Sequence, residues 1–188
     1  MKTAKKVKIG LGIALIVMLA AFFHYNLPRT AVVQITGTDM KRVDTTQTAI
    51  KKQDDKTNPV QTKQYSSDVR FINSVSRDGK IKVFRNEDTG WGWPPYLKFN
   101  SADITAQAQV FATAPDKQWI LVKFYGWRST VFSMFPNVIK LKAVDKDYTH
   151  FPLFNISFFF LLFVLIFIIR KKTKQFLSWI FDRSKAEK

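Results

Sequence analysis

Two uninterrupted apolar runs, one near each end of the chain, constrain this sequence more than any other feature. From Ile9 to Tyr25 it reads IGLGIALIVMLAAFFHY, 17 residues without Asp, Glu, Lys or Arg. At a helical rise this covers about 25 Å, close to the hydrocarbon thickness of a bilayer, with Lys8 able to snorkel. From Phe151 to Ile169 it reads FPLFNISFFFLLFVLIFII, where only Asn155 and Ser157 are polar. That run is too apolar all round to lie on a membrane surface as an amphipathic helix, so it predicts a transmembrane helix. The first run has a rival reading as a signal peptide, because MKTAKKVK supplies a basic leader. Leu19-Ala20-Ala21 is followed at once by Phe22 and Phe23, a poor cleavage pattern, and an uncleaved anchor is expected.

The basic flanks orient the two helices. Lys2, Lys5, Lys6 and Lys8 precede the first, while Arg170, Lys171, Lys172 and Lys174 follow the second. Both termini are therefore expected to be cytoplasmic, with residues 26–150 outside the cytoplasmic membrane, in the periplasm if the cell is Gram-negative. The chain carries 30 Lys and Arg against 14 Asp and Glu. Of these, 19 basic and 12 acidic residues belong to the loop, so much of the excess is a topology signal and nucleic acid is not an expected partner. The tail, residues 170–188, interleaves Phe176, Leu177, Trp179, Ile180 and Phe181 with basic residues. It suits either a short amphipathic helix on the inner leaflet or a continuation of the second helix into the headgroups. Gly10 with Ala14, and Asn155, are weak signals for helix contacts within or between chains.

The loop reads as one small α+β domain, mostly β. Residues 31–37 (AVVQITG) suggest a strand directly after the membrane. Residues 45–67 hold only Ala49, Ile50, Val60 and Tyr65 as apolar members and read as a polar surface excursion. Val69–Val75 and Lys80–Arg85 flank Ser-Arg-Asp-Gly, a hairpin in which Asp78-Gly79 would supply the positive-φ positions. Asn100 is the expected cap of a helix carrying Ile104, Ala108 and Phe111, although Ile104, Ala106, Ala108 and Val110 also alternate as a strand would; Ala and Gln favour the helix. Trp119–Tyr125 (WILVKFY) reads as a buried central strand and Val138–Val144 as the last one. Three strands, a helix and two strands form the element order of an OB-type barrel, and other α+β folds share it.

Chemistry is sparse. With no cysteine there is no disulfide, thiolate metal site or cysteine nucleophile. The two histidines, His24 and His150, fall at the outer ends of the apolar runs, and a metal site there would need ligands that the sequence does not offer. No nucleophilic triad, phosphate-cradling glycine loop or zinc motif occurs, and no cofactor is implied. The acids Glu87 and Asp88 are sequence neighbours that seldom face one another, so salt bridges to Arg85 or Arg128 are expected instead. The unusual stretch is Arg85–Asp103, RNEDTGWGWPPYLKFNSAD, together with Phe124–Arg128. Trp91, Trp93, Tyr96 and Trp127, with Arg85 and Arg128, form either a recognition surface or a rigid lid whose aromatic rings close the core.

ITGTDMKRVD at 35–44, VRFINSVSRDGK at 69–80, RNEDTGWGWPPYLKFNSAD at 85–103 and QWILVKFYGWR at 118–128 together resemble the DUF1523 family of uncharacterised bacterial membrane proteins. The resemblance implies a domain between two helices and implies no reaction, substrate or ligand. The expected function is therefore non-enzymatic: an envelope docking or assembly module that meets membrane lipids, a protein partner and further copies of itself. The rival expectation is a binding domain for anionic envelope lipid or glycan.

Overall fold

A computed structural model describes residues 2–47 and 63–186. The chain divides into two compact units, Met1–Tyr148 and Thr149–Lys188.

The first unit opens with helix α1, Lys2–Asn26. Its end is dictated by Pro28, which cannot donate an amide hydrogen and disfavours helix in the residue before it. The last turn is closed by Leu27 N donating to Phe23 O (2.8 Å) and by the Asn26 amide donating to Phe22 O (2.8 Å). The stretch Lys6–Asn26 is long and apolar enough to cross a membrane, and none of its side chains is buried.

Strands β1 (Arg29–Gln47), β2 (Lys63–Ser76) and β3 (Ile81–Arg85) follow, then helix α2 (Ser101–Thr113), β4 (Trp119–Tyr125) and β5 (Asn137–Val144). The strands close into a barrel in the order β1-β2-β3-β5-β4, with β4 returning to β1 from Arg29↔Phe124 to Val33↔Ile120. All ladders are antiparallel except β3 with β5, which meet in parallel at Arg85↔Asn137. This closure is compatible with the expected OB-type barrel. Val33 and Ile35, Ile72, Phe84, Ile120 and Val122, Val138 and Leu141 fill the interior. Helix α2 contributes Ile104 and Ala108 to the same cluster, so the helical reading of that segment holds over the alternating one. Each such large aliphatic side chain contributes about 1.5–3 kcal/mol by leaving water. In β4, Leu121 is buried as well as Ile120 and Val122, which explains why its sequence is a continuous apolar run.

Several expectations need correction. The first strand extends well beyond 31–37, because past the irregularity between Ile35 and Gly37 it continues as a ribbon with β2, down to Gln47↔Lys63. The expected excursion at 45–67 is thus paired strand at both ends, and residues 48–62 lie outside the described residues. In the β2–β3 turn only Gly79 takes positive φ (75°). Asp78 instead accepts a hydrogen bond from the Ser76 hydroxyl and pairs with Lys80 (2.9 Å), while Gly79 N donates to Ser76 O (2.9 Å). Asn100 stands at the cap of α2 but its side chain makes no capping bond; Asp88 supplies that carboxylate from thirteen residues away, taking Ser101 N (2.8 Å) and Ser101 Oγ (2.8 Å).

The second unit is helix α3, Leu153–Ala186. Its segment Leu153–Phe176 is long and apolar enough to cross a membrane. The basic tail continues the same helix without a break, in keeping with the second of the two expectations for it.

Candidate functional site

Five of the six candidate residues occupy two loops at one end of the barrel, 86–100 after β3 and 126–136 after β4, and the sixth, Arg85, ends β3. Asn137, the first residue of β5, joins the two. Its side-chain oxygen accepts from Glu87 N (3.0 Å), and its amide donates to Glu87 O (3.0 Å) and to Tyr125 Oη (3.0 Å). Burial pushes the Tyr125 hydroxyl pKa upward.

The first loop stands on a buried polar foundation. Lys98 is 4% exposed, and its ammonium donates to Asn86 Oδ1 (2.5 Å) and Val138 O (2.7 Å). Asn86, also buried, donates to Ser101 O (2.7 Å) and Thr105 Oγ1 (2.8 Å). Burial lowers the Lys98 pKa to about 8 against the opposing pull of Asp88 and Glu87. Above this foundation the loop satisfies many of its own backbone donors: Gly90 N to Lys98 O (3.0 Å), Gly92 N to Thr89 O (2.9 Å) and Tyr96 N to Pro94 O (2.7 Å). Lys98 N donates to Thr89 Oγ1 (3.2 Å).

Both loops are fastened to the last turn of α1. The Trp93 indole donates to Asn26 Oδ1 (2.7 Å), and its ring stacks on Phe22 at 5.9 Å. The Tyr96 hydroxyl donates to Asn26 O, and its ring stacks on Tyr125 at 4.9 Å; burial raises its pKa. From the second loop, the Trp127 indole donates to His24 Nδ1 (2.7 Å), and its ring meets Tyr25 edge-on at 5.4 Å. Gly126 N donates to Tyr25 O (2.9 Å), and Arg29 returns a bond to Gly126 O. Gly126 has φ 90°, a backbone conformation that any side chain would strain, although a Cβ there would meet Pro136 Cα at an ordinary 3.5 Å.

The second loop is a tight turn of its own. Ser129 and Met134 exchange backbone bonds (3.1 and 2.9 Å). Arg128 donates to Ser129 O (2.8 Å) and Met134 O (3.0 Å), and its guanidinium lies 4.1 Å over Phe135, which packs edge-on against Phe71 of β2. The tip leaves Val131 and Phe132 at 85% and 75% exposure.

The sequence grouping of the six residues therefore separates in space. Trp93, Tyr96 and Trp127 hold the helix, Arg85 pairs with Glu87 (2.5 Å), and Arg128 braces its own turn. Trp91, 86% exposed, meets Phe99 edge-on at 5.7 Å. The two tryptophans of the first loop are thus on the surface rather than in the core. Glu87 makes one of the salt bridges anticipated for the acids, whereas Asp88 is consumed by capping. Sequence reasoning passed over Asn26, Asn86, Lys98, Val131 and Phe132. The one available signal was Lys98, the first charge after a nine-residue uncharged stretch from Thr89 to Leu97. Among the described residues no three His, Asp or Glu side chains gather as a metal site would require.

Residues 4–177 match the model of a family described as a protein of unknown function, DUF1523. The chain is 39% identical over 126 residues to an uncharacterized protein of Haemophilus influenzae, covering 67% of each. No solved structure matches it.

Proposed function

The chain belongs to the DUF1523 family, and we propose that it is an integral membrane protein presenting its barrel as a non-enzymatic docking module to an envelope protein. In this reading α1 and α3 span a bacterial inner membrane with both termini cytoplasmic, as the basic flanks favour. The barrel, which we take as OB-like, then lies outside the cytoplasm. The observation that carries the docking function is the 129–134 turn. Val131 and Phe132 project from a backbone clamped by its own bridge and by Arg128 over Phe135. A rigid apolar tip loses little freedom on binding, which is what an anchor for a partner's pocket requires.

The test is photo-crosslinking in cells from positions 131 and 132, with position 81 at the start of β3 as control. A discrete protein adduct from 131 and 132, absent from 81 and reduced by Arg128→Ala, is the expected result. Equal or absent labelling at all three positions overturns the docking role.

A further inference from the structure

The loop between Thr89 and Leu97 has a different destination, set by its contact with α1. Phe22 lies four residues before Asn26, about 6 Å further along the helix toward its apolar middle. Trp93 is stacked on Phe22 while its indole N–H is delivered to Asn26 at the polar end. The ring therefore reaches past the end of the helix and lies alongside its apolar span, still 67% exposed.

The rest of the loop suits the same surroundings. Thr89 to Leu97 contains no charge, and the first charge after it, on Lys98, points into the barrel onto Asn86 and Val138. Pro94 and Pro95 have no N–H to desolvate, and Gly90, Gly92, Tyr96 and Lys98 direct theirs to acceptors within the loop. Each donor withdrawn in this way lowers the cost of moving the loop out of bulk water. Outward it shows Trp91, Trp93, Leu97 and Phe99, at 86%, 67%, 52% and 57% exposure. Aromatic side chains with an apolar body and a polar N–H favour the boundary between headgroups and acyl chains.

We propose that this loop is inserted into the bilayer beside α1, with phospholipid covering Trp91, Trp93 and Leu97, so that the barrel is seated on the membrane rather than tethered above it. The proposal rests on the reading that α1 spans the membrane, and its test separates the two. Because the chain has no cysteine, single variants Trp91→Cys, Leu97→Cys, Ile81→Cys and Ile16→Cys can each carry a nitroxide label. The full chain is reconstituted in vesicles of phosphatidylcholine and phosphatidylglycerol, and collision rates with oxygen and with a polar nickel chelate are read by electron spin resonance.

Labels at 91 and 97 are expected to collide with the chelate about tenfold less than the label at 81, while remaining accessible to oxygen. Chelate access at 91 and 97 equal to that at 81, with 16 protected, overturns the inserted loop and leaves the spanning helix standing. Chelate access at 16 overturns the spanning helix and the loop proposal with it.

Discussion

The two loops at the helix-bearing end of the barrel both reach the last turn of α1 and differ in what else holds them. Loop 86–100 is secured from beneath, by a buried ammonium and an amide that reach β5 and α2. Loop 126–136 is secured from within, by a two-bond bridge and a guanidinium over a half-buried ring. A buried hydrogen-bonded charge is costly to unpair, whereas a surface cation–π contact is worth about 0.5–1 kcal/mol. The first loop therefore cannot be altered at its base without affecting the barrel, while the second can vary with little effect on the fold. Such a division suits a fixed seat beside a variable anchor.

The sharpest way to break this contrast is Asn86→Ala. It removes an acceptor from Lys98 and donors to Ser101 O and Thr105 Oγ1, and should cost about 3 kcal/mol of unfolding free energy in denaturant titration of the reconstituted chain. A loss below about 1 kcal/mol would place the foundation elsewhere.

The pH response of the same group is the next effect. Lys98 binds its proton less tightly folded than unfolded, so between pH about 8 and 10.5 the unfolded chain holds more protons and stability rises with pH. Tyr96 and Tyr125, pushed upward by burial, oppose the gain above about pH 10, because there the folded chain keeps protons that the unfolded chain releases. The thermal midpoint should increase from pH 8 toward pH 10, and Lys98→Met should flatten that slope.

Arg128→Ala should cost only about 1 kcal/mol and leave Trp127 on His24, visible as unchanged indole fluorescence with a looser, protease-sensitive 129–134 turn. Smallest is Arg85→Ala, whose partly exposed pair with Glu87 should move stability by less than about 0.5 kcal/mol, since solvent screens it.

The pattern of legibility follows from range. The strand at 31–37, the Asp-Gly hairpin and Trp119–Tyr125 announce themselves through neighbours in sequence, and strand, hairpin and strand stand there, the first longer than expected and the turn with positive φ at Gly79 alone. Barrel closure depends on β4 meeting β1, a pairing of Arg29 with Phe124 that no local pattern encodes. The same holds for the cap of α2, where Asp88 outcompetes the adjacent Asn100 because a folded loop carries it there. Aromatic composition marked the two loops as unusual, but assigning a different partner to each tryptophan required knowing where α1 ends. The ribbon past Met40 is not legible because Val43, Tyr65 and Val69 are its few apolar members there, too sparse among polar residues to show the alternation of a half-buried sheet.

That ribbon carries a hazard of its own. Around the barrel every strand meets two others, β3 and β5 only at Arg85↔Asn137, whereas among the described residues β1 pairs with β2 alone from Met40 to Gln47, and β2 with β1 alone from Lys63 to Val69. Each strand there has an outer row of amides and carbonyls that a stray chain could adopt as a template. Lys41, Arg42 and Asp68 sit along these margins, Arg42 3.7 Å from Asp68 across the pair. Strand addition would have to strip water from those charges, so the protein discourages fibrillar growth with side chains that contribute little to its own stability.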